Sequence, residues 1–95
     1  LITNPPFKLF NEFATRAIDE YDNVALLARL QALEGLKRYD TIWSARKPSA
    51  ILVFKKRLHM VRGRLPTKSD GASTMAFAWF LWYDTPTENT IIDWI

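Results

Sequence analysis

No cysteine occurs anywhere in the 95 residues, which excludes disulfides, thiolate metal sites and a cysteine nucleophile. A single histidine, His59, stands alone, so neither a histidine-based metal centre nor a Ser-His relay can be assembled. Only three glycines are present, Gly35, Gly63 and Gly71, and each is isolated. The chain therefore has no G-x-G turn of the kind that lets a backbone approach a nucleotide-like ligand. No apolar run reaches the ~18–20 residues that a membrane span needs, and no secretory leader is recognisable. A cytoplasmic protein without metal or membrane partners is the expectation.

The composition that remains is that of a globular domain, 48% hydrophobic and 24% charged, without repeats or low-complexity tracts. A chain of 95 residues buries only a modest core and has room for one small domain. Net charge is +3, but it is unevenly placed. Lys55, Lys56, Arg57, Arg62, Arg64 and Lys68 face a single acid, Asp70, giving that segment +5 and leaving the rest of the chain at −2. A concentrated basic segment suits an anionic partner.

Along the chain, Leu1-Ile2-Thr3 reads as the end of a strand. Asn4-Pro5-Pro6 follows as a stiff loop, because each proline fixes its own φ and pushes the residue before it into extended conformations. From Phe7 the apolar residues Phe7, Phe10, Phe13, Ala14, Ala17, Ile18 and Tyr21 fall on one helical face, and Asp22-Asn23 ends the helix. Phe10 and Phe13 are expected in the core. Val24 to Ala28 and Ala50 to Phe54 are unbroken apolar runs, the pattern of strands buried on both faces. Residues 31–46 read as a second helix through Leu33, Leu36, Tyr39, Ile42 and Trp43, with Gly35 marking a break near its start.

A loop of about fifteen residues, 59–74, leads to Met75–Tyr83, the most apolar run. With no helix between them, this strand and the preceding one are expected to pair antiparallel. Ile91–Ile95 is a short apolar tail. Right-handed crossovers place both helices on the same sheet face, leaving the other face without a cover from this chain.

Asn4-Pro5-Pro6-Phe7 resembles the (Asp/Asn/Ser)-Pro-Pro-aromatic motif of amino-methyltransferases that use S-adenosylmethionine. Further pieces extend the likeness over essentially the whole chain. Leu33-Glu34-Gly35 with Arg38-Tyr39, Pro48 ahead of Val53-Phe54 and Lys56-Arg57, Phe77–Trp82 and the closing Ile92–Ile95 resemble the C-terminal half of phage-type adenine-specific (N6) DNA methyltransferases. The resemblance implies an α/β fold, a partial Rossmann-like methyltransferase sheet of parallel strands with a final antiparallel strand. It implies that residues 1–95 are the C-terminal part of one catalytic domain, in a bacterial or phage-encoded enzyme. The glycine turn of the cofactor site is absent, so the S-adenosylmethionine-binding half is expected upstream of Leu1, where it would also cover the bare sheet face. Of the residues present, Asn4 is a candidate for touching the cofactor, and Arg29 for a phosphate or cofactor contact.

The chemistry implied is methyl transfer to the amino group of a flipped adenine. Adenine N6 is a poor nucleophile because its lone pair is delocalised into the ring. A site gains by accepting hydrogen bonds from both amino hydrogens, and Asn4 offers a side-chain carbonyl while Pro5 offers a backbone one. Pro6 stiffens the loop, and Phe7 presents a face on which the extruded base stacks. The competing reading makes Asn4 an ordinary helix N-cap and Phe7 the first core residue.

Arg29, Lys55, Lys56, Arg57, Arg62, Arg64 and Lys68 are candidates for DNA phosphate contacts, with a surface ion pair as the alternative for Arg29 and a solvated strand end and loop for the others. The four tryptophans are expected in the core, with Trp82-Tyr83 a candidate exception. Other outcomes compatible with such a loop are methylation of RNA bases or of protein glutamine, or a non-catalytic nucleic-acid-binding module.

Overall fold

Each of the first two strands feeds a helical crossover that returns the chain to the same sheet, and both crossovers settle on one face. The computed structural model describes residues 1–56 and 76–95. In order, these form β1 (Ile2–Thr3), a 3-10 turn (Phe7–Leu9), α1 (Phe10–Glu20), β2 (Val24–Arg29) and a second 3-10 turn (Leu30–Leu33). Then come α2 (Leu36–Arg38), which continues into a π turn (Tyr39–Trp43), β3 (Ala50–Val53), β4 (Phe77–Trp82) and β5 (Ile91–Trp94). The result is a small mixed α/β domain on a five-stranded sheet ordered β1-β2-β4-β3-β5.

β1 pairs parallel with β2, β3 pairs parallel with β5, and β4 runs antiparallel between β2 and β3. The antiparallel pairing of β3 with β4 is as the sequence predicts. β2 and β3 run in the same direction but are not neighbours, because β4 is inserted between them. The tail at residues 91–95 is a further strand: its amides at Ile91 and Ile95 donate to the carbonyls of Ser49 (3.2 Å) and Val53 (2.9 Å).

Register explains the core. Val24, Leu26, Ala28, Ile51, Ala78, Phe80 and Trp82 all turn to the helical side and are buried. Against them pack Phe10, Ala14, Ala17, Ile42 and Trp43. The two alanines of α1 let its axis come close to the sheet, and the aromatic rings fill the space beyond. Trp43 stacks on Trp82 (centroids 6.1 Å apart, 2° between planes) and on Phe80 (5.9 Å, 24°). Phe10 meets both Trp43 and Phe80 at 6.3 and 6.0 Å.

The opposite sheet face carries Ile2, Ala25, Leu27, Leu52, Trp79 and Leu81 by the same register. No helix among the described residues covers it, so β2 alternates buried and half-buried residues instead of being enclosed on both sides. That corrects the two-face reading of its unbroken apolar run, which describes side-chain chemistry and not which face has a neighbour.

Four other expectations are corrected. Phe13 is 40% exposed, because α1 begins only at Phe10 and its buried stripe is the narrow one through Phe10, Ala14 and Ala17. Tyr21 is likewise exposed, since the chain turns extended there. The expected helix over 31–46 is two pieces separated at Gly35. Leu33, Leu36 and Tyr39 lie exposed, and the π turn rotates Ile42 and Trp43 together onto the sheet. Trp94 is exposed on the edge strand, so the tryptophans are not all core. The 59–74 loop lies outside the described residues.

Ser49 is the one buried polar side chain among the described residues, and it ties three strands together. Its Oγ accepts the Tyr83 N–H at 2.9 Å, its N–H donates to Leu81 at 2.7 Å and its carbonyl accepts from Ile91. Ser49→Ala removes the acceptor of the part-buried Tyr83 donor and is expected to cost about 1 kcal/mol. Urea unfolding should show a lower midpoint at unchanged slope.

Candidate functional site

The C-terminal ends of β1, β2, β3 and β5 lie along one edge of the sheet, because these four strands share a direction. The Asn4–Phe7 loop leaves β1 at that edge, Arg29 closes β2 there, and Lys55 and Lys56 follow β3 there. β1 and β3 are three strand spacings apart, roughly 14 Å. Trp82 and Tyr83 sit at the opposite edge, since β4 runs the other way. Trp82 is fully buried there, which removes it as a base-stacking platform.

The loop's conformation separates Asn4 from the helix start. The cap position of the 3-10 turn is Pro6, at φ −55° and ψ 135°, and no side chain caps it. Asn4 is exposed two residues earlier, so the N-cap reading of Asn4 does not apply. Pro5 is buried and anchors the loop. The Pro6 carbonyl is engaged by the Leu9 N–H at 2.9 Å. Neither the Asn4 side chain nor the Pro5 carbonyl has a hydrogen-bond partner among the described residues. Two acceptors on a stiff loop are thus unengaged among the described residues.

Beside them, Phe7 is 40% exposed and flanked by two cations. The Arg29 guanidinium carbon lies 4.9 Å from the ring centroid and that of Arg38 lies 5.9 Å away. Arg29 is half-buried and makes no ion pair and no side-chain hydrogen bond among the described residues. Arg38 came from the sequence only as part of a resemblance. The signal that could have exposed it is Gly35, three residues earlier, at φ +113°. With no acid against either guanidinium among the described residues, the edge they form around Phe7 is positively charged and suited to an anion.

Lys55 and Lys56 are exposed on the same edge. Arg57, Arg62, Arg64 and Lys68 lie outside the described residues, as does His59. A cleft of about 670 Å³ opens between α1 and the second helix, and it contains none of the predicted site residues. Arg16 on its rim is held above its ordinary pKa by a hydrogen bond to Glu20, then by that carboxylate's charge. Among the described residues there is no cluster of metal-ligating side chains and no helix long and apolar enough to cross a membrane.

Compared with known proteins, the chain matches no family model, no curated protein and no solved structure.

Proposed function

We propose that this chain is the acceptor half of a DNA adenine-N6 methyltransferase, in which the Asn4-Pro5-Pro6-Phe7 loop holds a flipped adenine. The observation that carries the reading is the pair of unengaged acceptors, the Asn4 amide oxygen and the Pro5 carbonyl, beside the accessible Phe7 ring. Two acceptors on one rigid loop can take both hydrogens of an amino group. That draws the nitrogen toward a tetrahedral geometry with its lone pair aimed outward. Neither acceptor has a proton to exchange, so the loop works by positioning and preorganised dipoles. Phe7 holds the base plane, and Arg29, Lys55 and Lys56 on the same edge are placed to neutralise phosphates of the strand.

In the Rossmann-like sheet of that family an antiparallel strand is inserted beside its neighbour, as β4 is here, but the strand expected to be last is followed by β5, which is parallel to β3 and departs from that pattern. The location of the loop agrees, since ligands of open α/β sheets bind beyond the C-terminal strand ends. β1 is bonded on one side only, and next to it Leu1, Leu9, Phe13 and Tyr21 form an exposed apolar groove with Ala17. Together with the uncovered sheet face, this is surface on which an upstream half-domain would pack.

S-adenosylmethionine would supply the electrophilic methyl group. The residues present do not build its seat: there is no glycine-rich turn, and the one positive-φ glycine among the described residues, Gly35, is committed to the Arg38 guanidinium. No step on the donor side is assigned to this chain.

The test is transfer of labelled methyl from S-adenosylmethionine by the polypeptide that carries both halves, offered duplex DNA, RNA and protein substrates. Label in adenine N6 of DNA is expected, and little or none with the 95 residues alone. Label in RNA or in glutamine, or DNA binding with no transfer to any substrate, would replace the reading. Robust methylation by the 95-residue chain would remove the division into halves.

A further inference from the structure

Arg38 has no task in the function just described, yet a whole turn is built around it. Its Nε donates to the carbonyls of Ala32 at 2.9 Å and Glu34 at 3.0 Å, and its Nη2 reaches that of Gln31 at 3.4 Å. Three carbonyls from the end of one short 3-10 turn converge on one guanidinium. The Gln31 carbonyl also accepts the Glu34 N–H at 3.0 Å, and at such a carbonyl-rich turn end a cation is a suitable partner. The chain then bends back through Gly35 at φ +113° and ψ 124°. A Cβ at that position would stand 3.2 Å from Arg38 Nη2, on a backbone conformation that side chains rarely adopt. Glycine therefore serves both the turn and the close approach of the guanidinium.

The same guanidinium lies 5.9 Å from the Phe7 centroid. Arg29 is nearer, at 4.9 Å, but nothing among the described residues holds its guanidinium in place. The two cations are thus unlike. Arg29 is free to move to a phosphate, whereas Arg38 is fixed by three hydrogen bonds.

We propose that Arg38 is a positioning residue for Phe7. Anchored by the 31–34 carbonyls and admitted by Gly35, it holds the ring through a cation–π contact so that the stacking face is oriented before a base arrives. The role for the target base rests on the methyltransferase reading, whereas the orientation of the ring does not. Lysine is a poor replacement, because a point charge on a flexible stem cannot span three carbonyls as a planar fork does.

Two measurements separate these levels. In the 95-residue chain with labelled phenylalanine, aromatic carbon relaxation reports the order of each ring. Arg38→Ala, Arg38→Lys and Gly35→Ala should each loosen Phe7 while the buried Phe10 and Phe80 rings remain as ordered as in the parent. A general structural role would instead disturb all three rings or lower stability alone. Phe7 order unchanged in the folded variants would overturn the proposal. The lysine and Gly35 variants keep the test available if Arg38→Ala does not fold.

The second measurement uses a single-stranded oligonucleotide carrying 2-aminopurine in place of the target adenine. Quenching at saturation should fall about two- to fivefold in Arg38→Lys, with affinity by anisotropy little changed because phosphate contacts persist. Loss of affinity with full quenching in the remaining complex would make Arg38 a phosphate ligand and overturn the positioning role. If the parent chain itself produces no quenching, the base-stacking reading of Phe7 fails, and the ring-order measurement still decides the role of Arg38.

Discussion

Asn4→Ala is expected to lower methyl transfer by two to three orders of magnitude in a polypeptide that carries both halves, while DNA affinity changes little. Removing one preorganised polar group aimed at the reacting atom typically costs a factor of about 10²–10³ in turnover. The geometry here predicts the upper part of that range. Asn4 makes no capping bond, and Pro6 occupies the cap position without side-chain help. Its removal therefore takes nothing from the helix, and a fall in turnover has to be read as lost chemistry. Equilibrium unfolding should differ from the parent by less than about 0.5 kcal/mol, as for a surface substitution away from any structural feature. Asn4→Asp is a useful companion, because it keeps an acceptor of the same reach and should retain more activity than alanine does. Unchanged turnover in Asn4→Ala would refute the assignment of this side chain. A large loss of stability would mean that the residue supports the fold in some way other than capping.

Trp82→Ala should have the largest effect on stability, about 3–5 kcal/mol by urea unfolding. A domain of this kind holds only about 5–15 kcal/mol in all, so the variant is expected to be marginally folded or unfolded. The reasons are specific to the site. Trp82 has no exposed surface, it stacks face to face on Trp43, and its indole Nε1 donates to the Arg46 carbonyl at 3.2 Å. The Arg46 guanidinium returns a hydrogen bond to the Tyr83 carbonyl, so the end of β4 is clamped to the segment after the π turn. Trp82→Phe retains an aromatic face against Trp43 but leaves the Arg46 carbonyl without its indole donor, and should lose roughly half as much. A loss below about 1 kcal/mol for the alanine variant would contradict the placement of this residue at the centre of the core.

Much of the domain was legible before any coordinates. Ile2–Thr3, Ala50–Val53 and Phe77–Trp82 fall within the runs read as strands, and Val24–Arg29 extends one residue past its run, since apolar runs of strand length between turn residues are a local signal. The antiparallel pairing of β3 and β4 followed from the lack of a helix between them. The break at Gly35 was legible for the same kind of reason. What the local signals did not carry is which faces and edges find a distant neighbour. Phe13 belongs by chemistry to an apolar stripe, yet at its place on α1 no element among the described residues covers it. The runs in β2 and β4 are apolar throughout, but no helix among the described residues covers their second faces. Ile91–Trp94 looked like a tail because five apolar residues after a turn contain no hint that β3 has an open edge for them.

The candidate site divides in the same way. The stiffness of Asn4-Pro5-Pro6 and the presence of two carbonyl acceptors and an aromatic ring are properties of those residues in that order. The concentration of basic residues after β3 is likewise visible in the chain. Only the tertiary structure decided that Pro6 and not Asn4 caps the turn, which leaves the Asn4 amide open. It also decided that Arg29 and Arg38, 22 and 31 positions beyond Phe7, both meet its ring. The physical reason is that backbone stiffness and side-chain chemistry are local, whereas convergence at a sheet edge depends on which strands run alike and on their register. Those are settled by hydrogen bonds between segments tens of residues apart.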